Sequence, residues 1–161
     1  MRLLQIFTIT SLAIMLFIGC SKKSDNSKTG TFSFTKVNGK TYTATYVDAA
    51  IPSKNGTFSL QYQTNSTSTR WMFFVYVDNN NDLGLDVIGQ PIVNGVSYTS
   101  NSSFGRTVSF YGKLDNESLN PSRTTLVFEK STYPGQIVGS FTVYGSNNTI
   151  IGSGNFDFEA K

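Results

Sequence analysis

Residues 32–46, FSFTKVNGKTYTATY, decide the fold class of this chain. Apolar and polar residues alternate on both sides of Asn38-Gly39. A period of two residues is typical of a β-strand with one buried face. An Asn-Gly pair suits the two central positions of a tight turn, where both residues adopt positive φ. The stretch therefore predicts a β-hairpin.

The same alternation recurs along the rest of the chain, interrupted by turn signals. Asn94-Gly95, for example, lies between two short apolar runs and predicts a second hairpin. No segment after the first thirty residues has an apolar stripe of helical period over three turns. The pattern predicts an all-β domain, an antiparallel β-sandwich or a barrel-like fold, of about nine or ten short strands.

The most apolar stretch of this domain is Trp71–Val77, WMFFVYV. Both of its alternating faces are apolar, and it is rich in aromatic and β-branched residues. Such a run is typical of a strand that is covered on both sides. We expect it to form a central strand.

The first twenty residues have the layout of an export signal. Arg2 supplies a positive charge, Leu3–Ile18 is an apolar segment, and Gly19 and Cys20 close it. The apolar segment is shorter than the roughly 20 residues that a membrane-spanning helix needs. Its end resembles the lipobox of bacterial lipoproteins, whose usual form is Leu, a small residue, Gly or Ala, and then Cys. The leucine lies one place early here, at Leu16.

This resemblance implies a diacylglycerol thioether on Cys20, cleavage before that residue and acylation of its new amino group. Cys20 is the only cysteine, so an internal disulfide is excluded. Two other interpretations stay open: a buried residue of a membrane anchor, or an incidental residue of an ordinary signal peptide. The predicted organisation is a signal peptide over 1–19, a lipidated cysteine with a flexible tether over 20–30, and one domain over 31–161.

Composition and charge limit the partners. The net charge is +3, and no basic patch is interleaved with aromatic residues, so we expect no nucleic-acid partner. The expected partners are a membrane, through the lipid anchor on Cys20, and a glycan or a protein of the envelope. The predicted location is the bacterial cell envelope, at the outer membrane, with the periplasmic or surface face left open.

Phrases at the two ends of the domain add a second resemblance. The chain is similar here to small secreted lipoproteins of Bacteroidetes-type bacteria, in Phe32–Thr35 and Val37–Ala44 near the start of the domain and in Gly139–Phe141 and Thr149–Phe158 at its end. Members of that group often have no assigned function. The resemblance implies an envelope location and carries no activity.

The absence of histidine excludes several chemistries. Ser-His-Asp and Cys-His catalysis need an imidazole, as do His-ligated metal and haem sites. Paired carboxylates could still hydrolyse glycosides, but the acidic residues are spread along the sequence. We therefore predict a protein that is not an enzyme and requires no cofactor.

One polar stretch suggests a metal. In DNNNDLGLD, residues 78–86, Asp78, Asn80 and Asp82 offer oxygens at alternate positions and Asp86 follows. This resembles the opening of EF-hand and dockerin calcium loops. The glycine comes one place late, and no glutamate stands at the twelfth position. The alternative is a polar turn whose side chains cap their own backbone, and both interpretations stay open.

Aromatic residues suggest a ligand. Trp and Tyr rings on a β-domain can stack on sugar rings, although buried rings usually serve the core. Tyr133, beside Pro134-Gly135 in a predicted turn, is the best candidate for an exposed, ligand-binding ring. The other available rings are Trp71, Tyr76, Tyr98, Tyr111 and Tyr144. The predicted function is a membrane-anchored, non-enzymatic binding or structural protein, with a glycan-binding or carboxylate-dependent glycan-processing accessory protein as the alternative.

Overall fold

The computed structural model of the protein describes residues 30–89, 91–100 and 105–161. Eleven strands run through them: β1 Gly30–Lys36, β2 Thr41–Tyr46, β3 Thr57–Thr64, β4 Thr69–Asp78, β5 Asn81–Gly89, β6 Ser97–Thr99, β7 Thr107–Leu114, β8 Glu117–Ser118, β9 Arg123–Ser131, β10 Gly135–Tyr144 and β11 Ile150–Ala160. A 3-10 turn at Ser146–Asn148 is the only helical segment in these ranges. The all-β prediction is confirmed.

The strands join in one sheet rather than in two. Their order is β6-β9-β10-β11-β1-β2-β3-β4-β5-β7-β8. All neighbours are antiparallel except β2 and β3, which pair in parallel over two residue pairs. The sheet curls strongly into a half-barrel, so that β7 also contacts β9 and β6. The predicted two-sheet antiparallel sandwich is therefore not confirmed, and the architecture is a curled mixed sheet.

The hairpin predicted at Asn38-Gly39 is confirmed. It joins β1 to β2, with Phe34 opposite Tyr42 in the register. Gly39 adopts φ of 88°, and the Asn38 side chain accepts a hydrogen bond from the Lys40 backbone N–H at 3.1 Å. The turn chemistry of the sequence thus closes the hairpin locally.

The hairpin predicted at Asn94-Gly95 is wrong. A turn forms there, with φ of 71° at Gly95, but Ile92 and Val93, directly before it, form no strand. The strand after it, β6, pairs with β9 instead. The Gly95 backbone N–H donates to the carbonyl of Phe128, also in β9.

Aromatic side chains fill the inside of the half-barrel. The rings of Phe34, Phe110 and Phe141 pack against one another there. They come from β1, β7 and β10, no two of which are neighbours in the sheet. Gly154 faces Phe141 across the β10–β11 register, and a Cβ on it would lie 2.3 Å from the Phe141 ring. In the same way the Phe156 ring lies over Gly139. The sequences Gly139-Ser-Phe141 and Gly154-Asn-Phe156 therefore place each ring over the glycine of the neighbouring strand.

The central strand predicted at Trp71–Val77 lies within β4, between β3 and β5. Its inward residues Trp71, Phe73 and Val75 are buried. On its outer face Met72 is buried and Phe74 is half-buried. The strand is therefore buried on its inner face and partly covered on its outer face.

The predicted signal peptide, Cys20 and most of the predicted tether lie outside the described residues. Gly30, the last residue of the predicted tether, is the first residue of β1. In the described part of the chain, no helix is both long and apolar enough to cross a membrane.

Candidate functional site

Three aromatic rings meet at one end of the half-barrel. Tyr62 of β3 stands opposite Trp71 of β4 in the register, and Tyr133 lies in the turn between β9 and β10. The Tyr62 and Tyr133 rings stack, with centroids 4.3 Å apart and planes at 20°. Trp71 lies 6.4 Å from Tyr62 and 6.5 Å from Tyr133. The three rings form a compact group at the rim.

These rings border a cavity of about 160 Å³, which we call the aromatic cleft. Its walls come from β3, β4, the end of β9, the β9–β10 turn and the segment after β5. The lining residues are Tyr62, Thr69, Trp71, Pro91, Ile92, Ser131 and Tyr133. The cleft thus combines aromatic and aliphatic surface with the aliphatic hydroxyls of Thr69 and Ser131.

The alternation of β3 explains why Tyr62 reaches the rim. Phe58, Leu60 and Tyr62 occupy the same face, and Phe58 is fully buried while Tyr62 is 37% exposed. The side chains on the inward face of the strand therefore become exposed toward Tyr62, where the core ends. Tyr133 is 36% exposed, as expected for a ring in a turn, so the predicted exposure of this residue is confirmed.

Trp71 is the floor of the group and is 2% exposed. Its ring packs edge-on against Phe128, with centroids 5.1 Å apart and planes at 75°. Its indole Nε1–H is buried and has no hydrogen-bond partner among the described residues. A buried donor without a partner is uncommon and costs free energy, so each such group requires an explanation.

The wall after β5 is held by a buried tyrosine. Tyr98 is fully buried, and its hydroxyl accepts a hydrogen bond from the Val93 backbone N–H at 2.8 Å. The Tyr98 ring also packs edge-on against Phe128 at 5.7 Å. Tyr98, one of the rings considered as a ligand contact, therefore positions the segment that carries Pro91 and Ile92.

The polar groups of the cleft are neutral. Ser131 donates to the Asn94 side chain, Oγ to Oδ1, at 2.6 Å. The Oγ1 atoms of Thr69 and Thr64 are 3.5 Å apart. None of the described residues that line the cleft is charged. The cleft therefore offers hydroxyl groups and ring surface without an ionic contact.

The opposite end of β4 carries the predicted calcium stretch, residues 78–86. Asp78 accepts hydrogen bonds on Oδ1 from the Asn80 backbone N–H at 2.8 Å and from Asn81 Nδ2 at 2.7 Å. Its Oδ2 also accepts from Asn81 Nδ2, at 2.8 Å. These are the bonds of a side chain that caps its own turn.

The other two carboxylates of that stretch have separate partners. Asp82 Oδ1 accepts from the Lys113 backbone N–H at 3.1 Å. Asp86 pairs with Arg70, whose Nε lies 2.9 Å from Oδ1. The two carboxylates are four residues apart on β5, about 13 Å along the strand. No group of three acidic side chains that could hold a metal ion occurs in the described ranges, so the predicted calcium site gains no geometric support.

A second cluster ties this end together, and we call it the polar latch: Lys40, Tyr42, Asp78, Asn81 and Asp115. Asn81 Oδ1 accepts from the Asp115 backbone N–H at 2.7 Å, which links the β4–β5 and β7–β8 turns. The Asp115 carboxylate accepts from Lys40 Nζ and, at 2.7 Å, from the Tyr42 hydroxyl. The β1–β2 hairpin is thereby joined to both turns.

Hydrogen bonds and burial shift the pKa values in the latch. The hydrogen bond from Lys40, followed by that from Tyr42, lowers the pKa of Asp115. The bond to Asp115 raises the pKa of Lys40. Burial raises the pKa of Tyr42, and its bond to Asp115 adds to that increase. Each shift favours the protonation states in which the latch is formed at neutral pH.

The remaining predicted rings lie away from the aromatic cleft. Tyr111 is 46% exposed on the outer face and lies over Gly84, where a Cβ would be 2.2 Å from its ring. With Tyr76 it lines an outer groove of about 200 Å³, beside Ile51 and Pro52. Tyr144, at the far end of β10, packs its ring 4.1 Å from the Arg123 guanidinium.

Sequence reasoning singled out Tyr133 and Trp71 but not Tyr62. Its position at the end of an alternating run is the signal that could have found it, because the last inward apolar residue of a strand reaches the rim.

No protein-family model, curated protein or solved structure matches this chain.

Proposed function

We propose that this protein is a lipid-anchored binding protein of the bacterial cell envelope, at the outer membrane. Its β-domain holds a ligand in the aromatic cleft and performs no chemistry on it. The anchor is the lipid that the Gly19-Cys20 sequence predicts. The ligand replaces water over the exposed faces of Tyr62 and Tyr133.

The exposed tyrosine pair at the aromatic cleft carries this proposal. The rings of Tyr62 and Tyr133 are more than one-third exposed and border a cleft of about 160 Å³. Ligand pockets are lined mainly by apolar and aromatic side chains with a few polar groups, and this cleft has both. The Trp71 indole N–H is itself enclosed, so we assign the ligand contact to the two tyrosine rings.

The topology also suits an anchored binding protein. Gly30 stands opposite Phe158, two residues from the Ala160–Gly135 pair, where β10 begins next to Tyr133. The chain from Cys20 therefore enters the domain at the cleft end. Ten residues span at most about 35 Å, so the anchor would keep the cleft close to the membrane surface.

Carboxylate-dependent glycan processing is the weaker alternative. It needs two acidic side chains flanking the bond to be broken. None of the described residues that line the aromatic cleft is acidic. The proposal is therefore restricted to binding.

Membrane fractionation tests the anchor. The Cys20→Ser variant is expected to move from the membrane fraction to the soluble fraction and to lose labelling by an acyl-chain analogue. Ser21→Ala, which leaves the thiol in place, is the matched control and should behave like the wild type. Unchanged membrane association of Cys20→Ser would contradict the proposal.

Tryptophan fluorescence tests the binding role, because Trp71 is the only tryptophan in the chain. The full chain in detergent is titrated with envelope material separated into polysaccharide, lipid and protein fractions. A binding protein should show a saturable emission change with one fraction. No change with any fraction would refute a ligand in the cleft and leave a structural role.

A further inference from the structure

We propose that the aromatic cleft takes a single neutral saccharide unit, such as the end of an envelope glycan. This inference rests on the proposed function, since it names the ligand class of the same cleft. The ligand class follows from the size of the cleft and from the polarity and charge of its lining residues.

The exposed rings favour a ligand with a flat apolar face. A pyranose ring carries C–H groups on its faces and hydroxyl groups around its rim. Tyr62 and Tyr133 are stacked at 4.3 Å, so no ligand fits between them, and they act as one platform. Tyrosine is suited to such contacts because it combines a large apolar body with a polar tip. A saccharide ring can lie against this platform with its hydroxyl groups toward the polar lining.

The cleft is too small for an extended ligand. Its volume is about 160 Å³, whereas pockets for drug-sized molecules measure roughly 300–1,000 Å³. One six-membered ring suits this space better than a peptide or an acyl chain. The remainder of a longer glycan would extend into solvent past Tyr133.

The polar groups match hydroxyls. Ser131 already donates to the Asn94 side chain, so its hydroxyl oxygen is left to accept a hydrogen bond from the ligand. The Thr69 hydroxyl can donate or accept. A sugar hydroxyl both donates and accepts, and it therefore suits both side chains.

The absence of charge excludes sugar acids. No Lys or Arg lines the cleft in the described ranges, so a carboxylate or sulfate placed there would lose water without gaining a partner. We therefore expect neutral saccharides to bind and uronic-acid oligomers to be rejected. The outer groove beside Tyr111 contains Asp82 and is the competing location on this surface.

Isothermal titration calorimetry of the full chain in a zwitterionic detergent tests the inference. Detergents with sugar headgroups are avoided because they would compete. The probes are neutral oligosaccharides of glucose, mannose, galactose and N-acetylglucosamine, oligogalacturonate of equal length, and phosphatidylglycerol vesicles. The wild type is expected to bind at least one neutral oligosaccharide and no oligogalacturonate. The vesicles are titrated with the Cys20→Ser variant, which lacks the predicted lipid, and no binding is expected there.

Three variants locate the site. Tyr133→Ala removes half of the platform and should weaken affinity roughly tenfold. Tyr62→Ala removes the other ring and should weaken affinity by a similar factor. Tyr111→Ala is the matched tyrosine control in the outer groove and should leave affinity unchanged. Circular dichroism confirms that each variant is folded before it is titrated.

Several results would overturn the inference. Equal affinity for oligogalacturonate would refute the neutral ligand, and loss of binding in Tyr111→Ala alone would move the site to the outer groove. Full affinity in both Tyr62→Ala and Tyr133→Ala would refute the tyrosine pair as the binding surface. Binding of vesicles but of no oligosaccharide would refute the saccharide, whereas the proposed binding function would stand.

Discussion

The two ends of β4 differ in how their polar groups and rings are satisfied within the protein. Trp71 near its start belongs to the aromatic cleft, and Asp78 at its end belongs to the polar latch. The residues are about 23 Å apart along the strand. At the latch the polar side chains bond to one another across three turns. At the cleft a buried donor stays unpaired and two rings stay half-exposed.

This difference separates a structural end from a binding end. The latch satisfies the carboxylates of Asp78 and Asp115 with hydrogen bonds from within the protein. Such a network is complete, and a ligand could only compete with it. The cleft is incomplete in the folded protein, so a ligand can add contacts without breaking any. Mutations at the latch should therefore change stability, and mutations at the cleft should change binding.

The largest expected effect is the loss of Asn81. Its side chain is 8% exposed overall and joins Asp78 to the Asp115 backbone. Asn81→Ala removes these bonds and leaves buried groups unpaired, so the free energy of unfolding should fall by about 2–3 kcal/mol. Urea denaturation measures this loss.

Asn120→Ala is the matched control for that change. Asn120 is exposed in the loop after β8, and its substitution should change stability by less than about 0.5 kcal/mol. An equal loss in both variants would mean that the latch does not hold the turns. A loss of ligand affinity in folded Asn81→Ala would contradict the assignment of stability to the latch and of binding to the cleft.

Charge at the latch should appear in the pH dependence of stability. The pKa of Asp115 is lowered by its bonds from Lys40 and Tyr42. A carboxyl with a lowered folded pKa stabilises the protein above its unfolded pKa, and this contribution disappears as the pH falls through the folded value. The unfolded value is close to the ordinary 3.8.

Asp115→Asn should therefore lower the Tm at pH 7, and the gap from the wild type should close as the pH falls below about 4. Thermal scans from pH 2 to pH 7 measure this gap. A gap of constant size over the whole range would show that the hydrogen-bond geometry matters and the charge does not. The size of the effect should lie below that of Asn81→Ala, because the Asp115 side chain is partly exposed.

The strands could be predicted from the sequence because their signal is local. Alternation located the segments, and Asn38-Gly39 located a turn whose two strands pair with each other. The same signal failed at Asn94-Gly95, where β6 pairs with β9. The single curled sheet also depends on pairs that are distant in sequence, such as β1 with β11. A period of two residues gives the face of a side chain but not its partner strand.

The candidate site could be predicted only in part for the same reason. Tyr133 was identified because a Tyr-Pro-Gly turn exposes its ring locally. Tyr62 was missed because its alternation marks it as core, and its exposure depends on where β3 ends relative to the β9–β10 turn. The capping of Asp78 is local and agrees with the polar-turn interpretation, whereas the role of Asn81 depends on Asp115, which is distant in sequence.

The smallest expected effect on stability concerns the stacked tyrosines. Each ring is more than one-third exposed, so Tyr62→Ala or Tyr133→Ala loses less buried area than the truncation of a fully buried ring. Their contact at 4.3 Å should contribute about 0.5–1.5 kcal/mol, which a double-mutant cycle isolates from the other effects of each substitution. Urea denaturation of the wild type, both single variants and the double variant gives this coupling without ligand.

A coupling well above this range would make the pair a structural element like the latch, and the contrast between the two ends would fail. A coupling within it, together with the loss of saccharide affinity in Tyr133→Ala, would assign these rings to binding, because a rim that is half-exposed and weakly coupled gains its main contacts from a ligand.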